Sequence, residues 1–370
     1  MVTLREKFHG CIAGSWVGSA MGAAVESWSR EKIKQAHGYL DRLLPYRHYT
    51  AQTDWLREPG TTEDGIERQK LIATAIIEKK GRITAQDLLA VWLRDLDPEK
   101  MRYKQERFDR SLLELARAGV PASELGRLWP FSNVVAMARA SHPLGLINAG
   151  DPEAAADDSF EVGQVYAAKT AFGLRWAALY NAAVAEACRP GATVESVLDT
   201  AKRFVHHRAE PGSLYALYDT IQQEVNQGLE LAARHTDPMA LRDEFYGFYE
   251  GGRYFNYGQS QANEIVSKGL AVFAVSSGDP RQAILTAVNF GRDTDCLAAV
   301  AGGLAGALTG AGALPREWTD QVNQATRQDP YTNNRRSIEE TADALLAAFL
   351  TRRQRMEEYV RMMGEHAYLE

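Results

Sequence analysis

The chain of 370 residues contains 45% hydrophobic and 24% charged residues, an ordinary globular composition that excludes a largely disordered chain, a collagen-like chain and a coiled-coil rod. Lys and Arg number 42 and Asp and Glu number 48, which gives a net charge of -6. No basic excess is therefore available to neutralise a nucleic-acid backbone, and we expect no nucleic-acid partner. Three cysteines, far apart in sequence, make neither a disulfide framework nor a thiolate zinc site, and they indicate a reducing compartment.

The N-terminus carries two basic residues, Arg5 and Lys7, followed by an uncharged stretch over 10–25. Gly and Ser interrupt this stretch, so it lacks the continuous apolar run of a secretion signal. It is also shorter than the roughly 20 apolar residues that span a bilayer. We expect it to belong to the fold, without membrane association, and we predict a cytoplasmic protein.

Helical patterns dominate the chain from end to end. Thr61 or Thr62 is predicted to cap a helix that runs to Ile77, and Thr84 to cap the next, with Asp87 in capping-box position. Further helices are predicted over 104–118, 151–168, 172–188, 194–207, 214–234, 263–275, 279–288, 297–308 and 337–363. Alternating strand patterns, tight hairpin signals and long linkers are almost absent. The pattern predicts one all-α, compact multi-helix domain over 1–370.

Two of the helices carry glycine at every fourth position, which places the glycines on one face. The first series is Gly10, Gly14, Gly18 and Gly22, and the second is Gly302, Gly306 and Gly310. Glycine inside a helix costs roughly 1 kcal/mol relative to alanine, so such a series needs a compensating reason. Close helix packing is one reason, and the joining of helix ends around a site is a compatible second one.

Three acidic groups stand beside glycine-rich or helix-start segments: Thr62-Glu63-Asp64, the pair Asp293 and Asp295, and Glu26. Taken singly, each is an ordinary acid at a helix start, where it favours the helix dipole. The pair is different, because both carboxylates precede an uncharged Ala/Gly helix that must be buried. Two carboxylates this near to each other raise the pKa of one of them and destabilise the fold, unless a cation lies between them. Hard divalent cations take such carboxylate and hydroxyl oxygens.

Three sequence blocks together resemble the ADP-ribosylglycohydrolase family, whose founding members include the dinitrogenase reductase-activating glycohydrolase. GSAMGAAVE (18–26) resembles the family's G-D-A-x-G-x-x-x-E, TTEDG (61–65) resembles its T-D-D-T, and NFGRDTDC (289–296) resembles its N-x-G-G-D-T-D-T. A looser echo of N-G-x-x-M-R runs from Asn133 to Arg139. The blocks keep the family's order along most of the chain.

The resemblance implies an all-helical fold with two divalent cations, Mg2+ or Mn2+, at the base of a cleft. The implied metal ligands are Thr62, Glu63, Asp64, Asp293, Asp295 and Cys296. The predicted catalytic carboxylates are Glu26, Glu63 and Asp64, and the predicted substrate-binding residues are Asn133, from the family echo, and Arg292, from its place beside the acid pair. From the residues alone, Arg292 could equally meet a substrate anion or pair with an acid.

The chain departs from the family pattern at three positions. Ser19 replaces an Asp, Glu63 replaces an Asp, and Cys296 replaces a Thr. Glu63 keeps the charge but moves its oxygens outward by one methylene. Cys296 exchanges a hard oxygen for a softer sulfur, which alters the expected metal preference.

The predicted function is metal-dependent hydrolysis of an N- or O-glycosidic bond at the anomeric carbon of ADP-ribose or a related ribofuranoside. Expected substrates are ADP-ribosylated protein or a small riboside. The alternative is a catalytically inactive relative that binds ADP-ribose or a nucleotide. Aromatic residues over 246–257 offer either a core-lining loop or a stacking wall for a base or sugar.

Overall fold

The computed structural model describes residues 2–48, 53–105, 107–129, 131–209, 220–251, 259–331 and 334–366. Within these ranges the chain forms α-helices and short 3-10 turns, and its only β-type pairings are isolated bridges. The predicted all-α class is confirmed, while the single-domain prediction for 1–370 stays a prediction. In the described ranges no helix is long and apolar enough to cross a membrane.

Nineteen α-helices are present in this described part of the chain. In order they are α1 (Leu4–Gly22), α2 (Arg30–His37), α3 (Asp64–Lys79), α4 (Ala85–Asp95), α5 (Pro98–Met101), α6 (Arg107–Arg117), α7 (Ala122–Leu125), α8 (Ala136–Ala140), α9 (His142–Ile147), α10 (Pro152–Gly163), α11 (Phe172–Ala187), α12 (Val194–Arg203), α13 (Ile221–Arg234), α14 (Pro238–Gly251), α15 (Ala262–Val275), α16 (Pro280–Val288), α17 (Thr294–Thr309), α18 (Arg316–Gln328) and α19 (Ile338–His366).

Most predicted helices occur close to their predicted bounds, but α2, α5, α7, α8, α9, α14 and α18 have no predicted counterpart. Residues 214–219 of the helix predicted over 214–234 lie outside the described residues. The capping box of Thr84 and Asp87 is confirmed. The prediction that Thr61 or Thr62 caps α3 is wrong, because Glu63 is the N-cap and makes no side-chain capping bond. α17 begins three residues earlier than predicted, because the Asp293 side chain accepts a hydrogen bond from the Cys296 N–H.

The glycine faces of α1 and α17 pack directly against each other in antiparallel order. A Cβ built on Gly14 would lie 2.5 Å from the carbonyl carbon of Gly302, and one on Gly18 would lie 2.5 Å from that of Ala298. At the end of α1, a Cβ on Gly22 would lie 2.5 Å from the Cα of Asp295. Close helix packing as a reason for the glycines is therefore confirmed, and it also brings the end of α1 to the start of α17. That these helix ends surround a site stays a prediction.

A buried polar network joins α3 to α1. The Gln69 carboxamide oxygen accepts a hydrogen bond from the Trp16 indole N–H at 2.7 Å, and its nitrogen donates to the Ser15 hydroxyl at 3.0 Å. The same nitrogen lies 2.9 Å from Nδ1 of His142, the first residue of α9. Because buried polar groups need such partners, the network fixes α3 against α1 and orients its first turn toward the end of α1.

We expect Gly14→Ala to lower the free energy of unfolding by about 1–3 kcal/mol or more, because the added methyl group meets backbone atoms that no side-chain rotation can move away. Gly247→Ala is the matched control, since a Cβ there meets nothing within 4 Å. In helix α14 this control should be neutral or stabilising by up to about 1 kcal/mol. Urea denaturation monitored by circular dichroism measures both, and a Gly14→Ala protein as stable as wild type would contradict the packing account.

Candidate active site

The acidic groups predicted from the sequence meet where α1 ends and where α3 and α17 begin. Glu26 follows the short turn after α1, Asp64 is the first residue of α3, and Asp293 is the N-cap of α17. The Thr294 hydroxyl donates to the carbonyl of Gly22 at 2.8 Å, which fixes the start of α17 against the end of α1. Three segments far apart in sequence thus place their carboxylates in one region.

At the start of α17, two carboxylates and a thiol lie together and are buried. One ligand atom each from Asp293, Asp295 and Cys296 lies within 4.8 Å of the others. Asp293 Oδ1 accepts from the Cys296 N–H at 3.3 Å, whereas Asp293 Oδ2 and Asp295 Oδ1 are buried without a hydrogen-bond partner. Buried oxygens of this kind are costly unless another group, such as a cation, satisfies them.

At the start of α3, Glu63 is fully buried among polar and positively charged groups. Its Oε1 accepts a hydrogen bond from the Tyr46 hydroxyl and lies 3.6 Å from the Arg57 guanidinium. Its Oε2 lies 3.0 Å from Nε2 of His48. The neighbouring Thr62 hydroxyl is buried and has no hydrogen-bond partner. Glu63 is therefore fixed through Oε1, while its Oε2, beside His48, and the Thr62 hydroxyl are buried without a hydrogen-bond partner.

Asp64 is held by two arginines. Its Oδ2 pairs with Arg68 at 2.7 Å, one helical turn along α3, and its Oδ1 pairs with Arg139 at 3.1 Å. Arg68 also forms a two-pronged pair with the buried Asp109. Burial alone would raise the pKa of Asp64, but the two guanidinium groups outweigh it and hold that pKa below its ordinary value. Asp64 is therefore an ionised carboxylate.

Arg139 at the end of α8 is a site residue whose role the sequence did not indicate. Its Nη2 lies 2.5 Å from Asp295 Oδ2, and its Nη1 donates to Cys296 Sγ at 3.3 Å. It also donates to the hydroxyl of Ser19 at 3.1 Å. The echo of N-G-x-x-M-R that ends at Arg139 was the one available signal, and it said nothing of these partners.

The carboxyl groups of Asp295 and Glu26 resist ionisation even though the Arg139 guanidinium lies near them. Burial raises the pKa of Asp295 well above its ordinary value, and the nearby Asp293 adds to the rise while Arg139 opposes it. Burial also raises the pKa of Glu26, with further contributions from the charges of Asp295, Asp293 and Glu63. The negative charge is thus only partly compensated by protein groups. A divalent cation, which takes carboxylate and hydroxyl oxygens, fits the free oxygens of Thr62, Asp293 and Asp295.

A cavity of about 280 Å3 opens onto this cluster. Its charged lining consists of Glu26, His48, Asp64, Arg68 and Arg139, and Cys296 and Ser260 add polar surface. Its apolar lining consists of Phe108, Phe131, Val134, Val135 and Ala136. The cavity therefore has a charged floor and an apolar wall.

The two predicted substrate-binding residues lie apart from the lining of this cavity. Arg292 pairs with the buried Glu264, with Nε 2.7 Å from Oε1 and Nη2 3.0 Å from Oε2. The sequence left open whether Arg292 meets a substrate anion or an acid, and in the structure it meets an acid. Asn133 is exposed, and its backbone carbonyl accepts a hydrogen bond from the Ala262 N–H. Of the predicted aromatic group, Tyr246 is buried and donates to the Phe290 carbonyl, whereas 252–258 lie outside the described residues.

Comparison with known proteins identifies the family of the chain and its fold. The model of the ADP-ribosylglycohydrolase family matches residues 1–355. The uncharacterised protein YegU of Escherichia coli (strain K12) is 24% identical over 351 residues, which cover 90% of this chain and 99% of YegU. A solved structure titled "ADP-ribosylglycohydrolase-related protein complex" superposes with a TM-score of 0.63 at 19% identity, over 95% of this chain and 99% of that one, and shares the fold. The chain belongs to the ADP-ribosylglycohydrolase family.

Cys296 faces the acidic cluster, so its sulfur can be tested as a ligand. We expect Cys296→Thr to tighten Mg2+ binding and weaken Cd2+ binding, each on the order of tenfold, because a hydroxyl is a harder ligand than a thiol. Isothermal titration with each metal measures this, and Cys188→Thr, at another buried cysteine, is the control with unchanged affinities. Unchanged Mg2+ affinity in Cys296→Thr, together with a lowered melting temperature, would remove Cys296 from the metal site.

Proposed function

We propose that this chain is a cation-dependent hydrolase that cleaves the glycosidic bond at the anomeric carbon of a ribofuranoside. The observation that carries the proposal is a set of buried carboxylates with unpartnered oxygens whose neighbours Asp64 and Cys296 line a cavity of about 280 Å3. Family membership supports a hydrolase of glycosidic bonds. Carboxylates are also the groups that glycosidases use against an oxocarbenium-like transition state.

Asp293 and Asp295 would hold the cation, together with Thr62, Glu63 and Cys296. A bound Mg2+ or Mn2+ supplies affinity for sugar hydroxyls and lowers the pKa of a water molecule. Asp293 and Asp295 suit this role because one oxygen of each is buried and free. The buried Arg57 and the Tyr46 hydroxyl hold Glu63 in place through Oε1, so Oε2 is the oxygen that Glu63 would offer to the cation.

Glu26 and Asp64 divide the proton chemistry between them. Both line the cavity, but their surroundings push their pKa values apart, since burial and negative neighbours raise that of Glu26 while two arginines lower that of Asp64. Pairs of carboxyls separated in this way serve as acid and base. Glu26 is suited to carry a proton to the leaving group, and Asp64 to orient a water molecule toward the anomeric carbon.

The cavity lining favours a small riboside over an ADP-ribosylated protein. A diphosphate requires several cationic or N–H donors, and charged hydrogen bonds are each worth about 1.5–3 kcal/mol. Among the described lining residues, the positively charged or titratable donors are Arg68, Arg139 and His48, and each lies against a carboxylate. The wall beside them is aromatic and aliphatic. Such a wall suits the planar, uncharged aglycone of a nucleoside-like substrate.

A substrate screen tests this preference. With Mn2+ present, we expect kcat/KM for an N-riboside with an uncharged planar base to exceed that for an ADP-ribosylated peptide by about tenfold or more, the equivalent of one unmade charged hydrogen bond. Release of free ribose or ADP-ribose is the measured signal. Faster cleavage of the ADP-ribosylated peptide would reverse the substrate assignment, and binding of both without cleavage would favour the inactive-relative alternative.

We expect Asp293→Asn and Asp295→Asn each to abolish metal-dependent hydrolysis while leaving the helical circular dichroism spectrum intact. The amide keeps the shape of the side chain but removes the charge that a cation needs, and relief of like-charge repulsion can even stabilise the metal-free protein. Asp157→Asn is the control, because Asp157 pairs with His207 and Arg208 away from the site. Full activity in both site variants would show that the proposed cation site is wrong.

A further inference from the structure

The guanidinium group of Arg139 lies where the two halves of the acidic cluster face each other. One of its nitrogens contacts Asp64 at the start of α3 and another contacts Asp295 at the start of α17. With Cys296, three of its four side-chain partners are residues that the sequence predicts as metal ligands. A cation shared between the two halves of the cluster would need the same oxygens.

We infer that Arg139 takes the place of one of the two expected cations, so that this chain binds a single divalent ion, held by the free oxygens of Asp293 and Asp295. The inference rests on the proposed cation-dependent function. Arginine suits such a substitution because its charge is permanent and its planar fork reaches two carboxylates at once. Its side chain is only 4% exposed, so it is enclosed within the cluster.

Two neighbouring residues make room for this arrangement. Gly65 has no side chain, and a Cβ there would lie 2.6 Å from the Cζ of Arg139. Ser19 stands at the position where the family resemblance places an Asp, and its hydroxyl accepts a hydrogen bond from Arg139. Because Ser19 is uncharged, the positive charge of Arg139 is balanced by Asp64 and Asp295. The placement of the guanidinium group thus follows from residues on α1 and α3 as well as from Arg139 itself.

Manganese content and spin coupling test the inference without an activity assay. The full chain is stripped with a chelator, loaded with Mn2+, freed of excess metal, and examined by elemental analysis and electron paramagnetic resonance. We expect one Mn2+ per chain with an uncoupled spectrum in wild type, and two with exchange coupling in Arg139→Met. Arg82→Met is the matched control, because it removes a guanidinium from a two-pronged pair with Asp158 elsewhere, and should still bind one.

Gly65→Ala provides a second route if Arg139→Met fails to fold, since its added methyl group displaces the guanidinium from Asp64 without removing an arginine. We expect its Mn2+ content to rise above one. Two coupled ions in wild type would overturn the inference, and so would a single ion in every folded variant or no ion in any. The proposed function fails separately, if loaded wild type cleaves neither class of riboside whatever its manganese content.

Discussion

The contact between the backbones of α1 and α17 is the constraint on which the rest of the structure depends. Side chains at Gly14, Gly18 or Gly302 would collide with the facing helix, so only glycine allows the approach. Each such glycine weakens its own helix by roughly 1 kcal/mol, and close packing along the helix length offsets this cost. The same contact carries the end of α1 to the start of α17, where Gly22 touches Asp295. The packing motif and the acidic site are therefore one feature.

A second consequence of this geometry is an acidic cluster that the protein does not neutralise fully. Several carboxyls meet at helix starts, where backbone N–H groups favour negative charge, yet burial raises the pKa of Asp295 and Glu26. Asp64 is different, because Arg68 and Arg139 keep it ionised. At the start of α17, oxygens of Asp293 and Asp295 stay free for a cation, whereas at the start of α3 Asp64 belongs to a fixed network of ion pairs. This difference connects the fold to the proposed hydrolysis.

Much of this arrangement could be predicted from the sequence, because it follows from local spacing. The glycine series, the Asp293–Asp295 pair and the helix start near Glu63 are all patterns within a few residues. What the sequence could not supply were partners distant along the chain. Arg139 meets Asp295 more than 150 positions away, and Arg292 pairs with Glu264 rather than lining the cavity. The cap of α3 was predicted wrongly because Thr and Asp usually fill that position, whereas here Glu63 does and the Thr62 hydroxyl stays free.

The central claim is that the free oxygens at the start of α17 bind a divalent cation. Crystals of the full chain grown with Mn2+ and measured for anomalous scattering at the manganese edge test it most directly. The account predicts an anomalous peak within coordination distance of carboxylate oxygens of Asp293 and Asp295. A manganese-saturated crystal without a peak there, or with peaks only elsewhere on the molecule, would contradict it.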